Sequence, residues 1–195
     1  REMVRFFRQR SRIVGALGSP FVFWLLLGSG VGSSFRTGSP GTSMGYLEYF
    51  FPGTVVLILL FTSIFSTISI IEDRKEGFLQ SVLVAPIPRA AFVLGKLLGG
   101  TSLALMQGVL FMLLAPLVGG LSLWMIPSAI GMLALVSFGL TAMGYIIAWR
   151  MDSTQGFHGI MMLLLLPMWF LSGALFQASS AQRWLRVVMT LNPIT

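Results

Sequence analysis

The sequence predicts an all-α protein that crosses a membrane several times, and three observations support this fold class. Apolar residues make up 55% of the 195 residues and charged residues only 10%, whereas soluble domains carry about 25% charged residues. Long stretches contain no Asp, Glu, Lys or Arg. The apolar runs are also continuous, whereas strands of a membrane barrel alternate polar and apolar residues over ~9–11 positions.

Four uncharged stretches define the predicted spans. They run over residues 13–35, 49–71, 97–149 and 153–182, and the third is long enough for two crossings and a tight turn. A helix needs roughly 20 apolar residues to cross the hydrocarbon core, and a Lys or Arg at its centre costs about 2.5–3.5 kcal/mol. We therefore predict five transmembrane helices, at residues 13–34, 51–71, 93–117, 124–148 and 158–177.

Lysines and arginines lie mostly on one side of these spans. Ten of the thirteen fall in residues 1–12, in the connection after the second span, with which we count Lys96 at the start of the third span, and in the connection after the fourth. The other side holds Arg36, Arg183 and Arg186. Cytoplasmic loops carry the excess of Lys and Arg. We therefore expect an integral plasma (inner) membrane protein whose N-terminus and residues 72–90 are cytoplasmic, and a basic excess that reflects orientation rather than nucleic-acid binding.

Two segments outside the spans have helical patterns. Residues 1–12 interleave arginines with apolar side chains, which predicts an interfacial helix in contact with membrane lipid; a simple positively charged anchor is the alternative. Five charges, Glu72 to Glu76, follow the second span directly, and apolar residues then recur at helical spacing until Pro86. This predicts a short amphipathic helix on which another protein could push, with a solvated loop as the alternative.

Polar and small residues inside the spans have two readings. Thr62, Ser66 and Ser69 recur at helical spacing in the second span, and Gln107 lies in the third. They could line a passage, but hydrogen bonds between helices, worth about 0.6 kcal/mol each, or to the preceding helical turn are favoured. The pair Gly95 and Gly99 has a spacing that permits close helix approach.

Several classes of chemistry have no signal in the sequence. Cysteine is absent and His158 is the single histidine, which excludes disulfides, thiolate metal sites and multi-histidine clusters within this chain. No phosphate-binding loop or H-E-x-x-H motif occurs, so we expect no catalytic, cofactor or metal site here. No charge lies deep in a span, which disfavours self-powered secondary transport. The lack of charges deep in the spans fits a non-transporting membrane scaffold or assembly protein as well as it fits a transporter powered by another subunit. An intramembrane enzyme is the least favoured class.

The segment after the second span carries a family resemblance. The run EDRKEGFLQSVLVAPIPRAAFVLGKLLGG (72–100), following YFFPGTVVL (49–57), resembles the permease subunits of ABC-2-type exporters, a class with nodulation-factor, daunorubicin-type drug and polysaccharide exporters. Residues 20–35 and 171–195 resemble the first span and the external segment of this family. Arg1 is not an initiator Met and the chain stops where a further span could begin, so we expect truncation at both ends.

The resemblance implies a six-span subunit that forms homo- or heterodimers and exports a drug, lipid or glycan. A separate nucleotide-binding ATPase subunit would bind ATP and Mg and supply the energy, so this chain would not itself be an enzyme. Residues 178–195 would form an external segment with re-entrant helices, although Gln177 and Ala178 depart from the family pattern. The residues at the family's coupling position, where the ATPase docks, are Glu72, Asp73, Arg74, Lys75, Glu76 and Gly77.

Overall fold

The described part of the chain is entirely helical. A computed structural model describes residues 10–31, 45–84, 86, 88–118, 123–175 and 182–192. Its α-helices are α1 (Arg10–Val31), α2 (Tyr46–Ser66), α3 (Ile68–Lys75), α4 (Phe78–Val84), α5 (Arg89–Met112), α6 (Ile126–Trp149), α7 (Thr154–Phe170) and α8 (Arg183–Leu191), with short 3-10 helices at Ala115–Val118 and Leu123–Met125. No strand occurs in these ranges, which confirms the all-α prediction.

Among the described residues, three helical stretches have the length and apolar composition needed to cross a membrane. They are Tyr46–Lys75, Arg89–Met112 and Ile126–Trp149. The first of the five predicted spans overlaps α1, and the last overlaps α7, which has 17 residues. The count of five spans therefore stays a prediction. Of the predicted interfacial helix, residues 1–9 lie outside the described part, as do residues 178–181 and 193–195 of the predicted external segment.

Helix bounds differ from the predicted spans where charge or glycine decides them. The second span was predicted to end at residue 71, but after a turn at Thr67 the helix continues through its charged residues to Lys75. Arg74 and Lys75 fall in its last turn, where cations interact favourably with the helix dipole. At the other end of the bundle α7 stops at Phe170, short of residue 177, and a turn with Gly173 at a φ of 83° follows.

The helix α2 is the centre of the bundle. It packs against α1, α5, α6 and α7, and 61% of the most apolar part of Tyr46–Lys75 is buried, against 33% in Arg89–Met112 and 28% in Ile126–Trp149. One apolar cluster, which we call the aromatic end, surrounds the first half of α2. It contains Trp24, Tyr46, Phe50, Phe51, Phe111 and Trp169. A second cluster surrounds Leu60 and Ile64 with Phe157 and Met161 of α7.

Hydrogen bonds from aromatic side chains fix the aromatic end. The Trp169 Nε1 atom donates to the carbonyl of Gly53 at 2.8 Å, and Trp24 Nε1 donates to the carbonyl of Leu47 at 3.2 Å. The Tyr46 hydroxyl donates to the carbonyl of Leu175 at 3.3 Å. Buried Tyr and Trp usually find such partners. These contacts hold α1, and the turn that follows α7, against the start of α2.

The close approach between helices occurs at Gly100 rather than at Gly95. A Cβ atom added to Gly100 would overlap Ser66 Oγ and lie 2.7 Å from Thr141 Cγ2, whereas one added to Gly95 would meet nothing within 4 Å. Gly100 therefore marks the place where α2, α5 and α6 touch. The expected pair Gly95 and Gly99 has the right spacing, but the rotation of α5 turns Gly95 to the exposed side.

Substitution of these two glycines by alanine tests the packing. Gly100→Ala should lower the free energy of unfolding by about 1–3 kcal/mol, because the added methyl group overpacks the three-helix contact. Gly95→Ala is the matched control in the same helix. It should leave stability unchanged or raise it by up to about 1 kcal/mol, through the better helix propensity of alanine. Thermal melting in nanodiscs measures both, and equal melting temperatures would contradict the packing.

Candidate functional site

A buried ion pair joins α3 to α5 at the charged end of the bundle, which we define by Asp73, Arg74, Lys96 and Asp152. Asp73 is only 4% exposed, and its Oδ2 atom lies 2.6 Å from Nζ of Lys96. Lys96 also donates a hydrogen bond to Ser69 Oγ at 3.1 Å. A buried charge is stable only when it is paired and hydrogen-bonded. The pair therefore fixes the position of α3 relative to the part of α5 around Lys96.

The next residue, Arg74, contacts the C-terminal end of α6. Its guanidinium group donates to the carbonyls of Trp149 and Met151, the latter at 3.4 Å, and pairs with Asp152 Oδ1 at 3.1 Å. Its Cζ atom also lies 5.4 Å from the ring centroid of Trp149, within cation–π distance. The last carbonyls of a helix have no partner within the helix, and a cation there favours the helix dipole. Arg74 thus caps α6.

The last residues of the predicted coupling segment form an exposed turn between α3 and α4. Gly77 adopts a φ of 73°, a conformation that only glycine reaches without strain, and this turn lets α4 leave the direction of α3. Lys75, Glu76 and Gln80 are exposed, whereas Leu79 of α4 is buried. The helix predicted after the charged run is present at Phe78–Val84. The exposed polar side chains at its start face away from the bundle.

The structure divides the six predicted coupling residues into three groups. Asp73 and Arg74 contact other helices of the bundle, Glu72 and Gly77 are half-buried, and Lys75 and Glu76 are exposed. The sequence analysis did not identify Lys96 or the end of α6 as partners. One signal was available, because Lys96 lies inside a predicted span and a charge there needs a partner. The sequence offered no comparable signal for backbone acceptors.

The four predicted lining residues lie at contacts between helices or near them. Thr62 Oγ1 donates to Gln107 Oε1 at 2.6 Å, which links α2 to α5, and Gln107 is buried. Ser66 packs on Gly100 and donates to the carbonyl of Ser63 at 2.7 Å. Ser69 accepts the hydrogen bond from Lys96. These are the contacts expected for packing between helices, and a passage lined by them stays a prediction.

His158 contacts an aromatic side chain of α2. The His158 ring stacks on Phe65, with centroids 4.6 Å apart. Nowhere in the described ranges do three His, Asp or Glu side chains come close enough together to hold a metal ion. At the charged end, the ion pairs and the cap on α6 hold helices in position.

Comparison with known proteins places this arrangement among transporters. The sequence model of the ABC-2 type transporter family matches residues 1–195. A transport permease, ycf38 of Cyanophora paradoxa, is 29% identical over 153 residues, which cover 77% of this chain and 53% of the relative. Nodulation protein J of Sinorhizobium fredii is 29% identical over 171 residues, covering 86% of this chain and 63% of that protein. The ycf38 permease of Porphyra purpurea is 24% identical, and the match covers 100% of this chain and 68% of that protein.

The chain thus spans between about half and two thirds of the length of these relatives. No solved structure matches it.

A double-mutant cycle tests whether Thr62 and Gln107 serve packing. Thr62→Val should cost about 1–3 kcal/mol of stability, because the buried amide of Gln107 loses its partner. Combining it with Gln107→Leu should cost less than the two single changes together, since both partners become apolar. Thr62→Ser keeps the hydroxyl and serves as control. If the single variants melt like the parent protein, the packing role is contradicted.

Proposed function

The chain belongs to the ABC-2 type transporter family, and from this premise we propose that it is the membrane permease subunit of an ATP-driven exporter. The family and the apolar helices make it an integral membrane transport permease. ATP and Mg would bind to a separate ATPase subunit, so that the energy for transport enters this chain through a protein contact. The cargo would be a drug, lipid or glycan that leaves the cytoplasm.

The exposed turn next to Asp73 and Arg74 is the observation that carries this proposal. Lys75 and Glu76 are exposed beside α4, while the adjacent Asp73 and Arg74 are fastened to α5 and α6. A soluble subunit that contacts this turn would move helices that cross the membrane. ATP can shift only an equilibrium whose two states bind the ATPase differently. An exposed charged surface fixed to the bundle supports such a difference.

The remaining partners follow from the exposed apolar surface. Large apolar side chains of α1 and α7 are exposed, among them Leu26 at 66% and Leu163 at 78%. In a membrane these faces would contact lipid or a second permease copy, identical or homologous. Twelve Met and sixteen Phe residues provide adaptable apolar surface, which supports a hydrophobic or amphiphilic cargo. We propose no nucleic-acid partner.

A charge exchange in the exposed turn tests the coupling role. The double variant Lys75→Glu/Glu76→Lys keeps the net charge but reverses the pattern that an ATPase would meet. In nanodiscs that contain the complex of permease and ATPase, it should lower transport-linked ATP hydrolysis about tenfold, which corresponds to roughly 1.4 kcal/mol. Membrane insertion and melting temperature should stay unchanged, since neither side chain is buried.

The design keeps Asp73 intact, because reversing this buried charge would also break the pair with Lys96. Arg183→Glu changes an exposed residue of α8, outside the charged end. It serves as the control and should retain hydrolysis. Full hydrolysis by the exchanged variant would refute the coupling assignment. If no nucleotide-binding subunit can be photo-crosslinked from position 80, the scaffold alternative replaces the exporter.

Cysteine labelling tests the proposed orientation. The chain has no cysteine, so Gln80→Cys and Thr190→Cys, both at exposed positions, each introduce a single reactive thiol. A membrane-impermeant maleimide should label position 190 in intact cells and position 80 only after permeabilisation, because positive loops remain cytoplasmic. The opposite pattern would place the charged end outside and overturn the proposed orientation.

A further inference from the structure

The contacts of two adjacent residues of α3 point to a mechanical clamp. We propose that Asp73 and Arg74 are positioning residues: Asp73 fastens α3 to α5, and Arg74 fastens α3 to the C-terminal end of α6. The three helix ends then move as one body when α4 is pushed. The direction of that push rests on the proposed function, whereas the clamp itself is a property of this chain and can be tested alone.

The position of the two residues on the helix explains why they reach different neighbours. Consecutive residues of an α-helix point about 100° apart. Asp73 therefore faces Lys96 of α5, while Arg74 faces the Trp149 carbonyl at the end of α6. A single turn of α3 thus contacts two other helices. Neither residue could make both contacts.

The turn at Thr67 explains why the direction of α3 is not set by α2 alone. The helix from Tyr46 is broken there by a turn in which the Thr67 hydroxyl and backbone N–H both donate to the carbonyl of Ile64. Side-chain bonds of this kind bend helices. The direction of α3 therefore depends on its contacts with neighbours as well as on its connection to α2. Beyond this turn, the buried Ile70 and Ile71 provide apolar contacts, and Asp73 and Arg74 provide the polar ones.

The Arg74 contact depends on guanidinium shape more than on charge. Asp152 has a side chain that is 93% exposed, and an exposed ion pair contributes little. The carbonyls of Trp149 and Met151 and the Trp149 ring are the other contacts of the guanidinium group. A planar fork with five donors can reach separate acceptors and stack flat on a ring, whereas the ammonium group of lysine carries three donors on one nitrogen and has no plane to stack. Loss of the fork should therefore matter more than loss of Asp152.

The link from the clamp to α4 is short and hydrogen-bonded. The Gly77 N–H donates to the Arg74 carbonyl at 3.2 Å, and the Gln80 N–H donates to the Gly77 carbonyl at 3.1 Å. The Leu79 side chain is buried beside this turn. A displacement of α4 therefore reaches Arg74 within one turn of backbone. The clamp then passes it to α5 and α6.

Spin-label distances test the Arg74 contact. Because the chain lacks cysteine, the exposed pair Gln80→Cys and Arg150→Cys reports the distance from α4 to the end of α6. In nanodiscs this pair should give a single narrow distribution. Arg74→Lys should broaden it at least twofold, whereas Asp152→Asn should leave it narrow.

Two controls keep the measurement specific. A second label pair is placed at the exposed residues Leu113 and Met132, near the ends of α5 and α6 that are farthest from the charged end. Its distance distribution should not change in either variant. An unchanged melting temperature in Arg74→Lys would show that the bundle remains folded. A narrow distribution in Arg74→Lys, or equal broadening in Asp152→Asn, would overturn the clamp.

The Asp73 contact is tested with a neutral pair. Asp73→Asn alone leaves Lys96 buried without its carboxylate and should lower the melting temperature. Asp73→Asn/Lys96→Met removes both charges and should recover it, because neutral replacements of a buried ion pair can be as stable as the pair. Labels at Gln80→Cys and the exposed Leu94→Cys should give a narrow distance distribution in the parent protein and a broad one in the double variant, although its stability is recovered. A narrow distribution in the double variant would show that Asp73 contributes to stability but does not fasten α3 to α5.

The ATPase complex separates failure of the clamp from failure of the proposed function. In that complex, Arg74→Lys should lower transport-linked ATP hydrolysis about fivefold. A broadened spin-label distance with unchanged transport-linked hydrolysis would refute transmission through the clamp. If no ATPase partner exists, the exporter proposal fails, and the spin-label result still decides whether the clamp is present.

Discussion

The ion pair between Asp73 and Lys96 sets the geometry of the charged end. Both side chains are largely buried between α3 and α5, with Lys96 14% exposed, and a charge in apolar surroundings is stable only beside its partner. Once this pair is made, the rotation of α3 is fixed, and the next residue, Arg74, faces the last carbonyls of α6. Two adjacent residues thus join three helices, while Lys75 and Glu76 remain exposed.

The two ends of α2 are held by different chemistry. At the aromatic end, ring contacts and donors such as Trp169 fix the backbone of neighbouring segments. At the charged end, ion pairs and a cap on α6 do so. Between them, Gly100 lets α2, α5 and α6 touch. For a permease this means that an ATPase at the charged end would act on helices that share one packed seam through the membrane.

Local patterns explain why most of the fold was predictable. Apolar run length depends on sequence alone, so α2, α5 and α6 were located from uncharged stretches, and Pro86 and the spacing of Phe78 and Leu79 placed α4. Helix ends were less predictable. The helix of the second span continues to Lys75 because charged residues can extend a helix beyond the hydrocarbon core, and charge gaps do not record this.

The sequence by itself determined that this protein is helical and apolar, with its charges between long uncharged stretches, because hydropathy and charge are read along the chain. The tertiary structure decided which charge faces which helix. Asp73, Arg74, Lys75 and Glu76 look alike in sequence, yet two are engaged and two are exposed. The reason is physical: the rotation of a helix is fixed by packing against its neighbours, here at Gly100 and Lys96, and those neighbours lie far away in sequence.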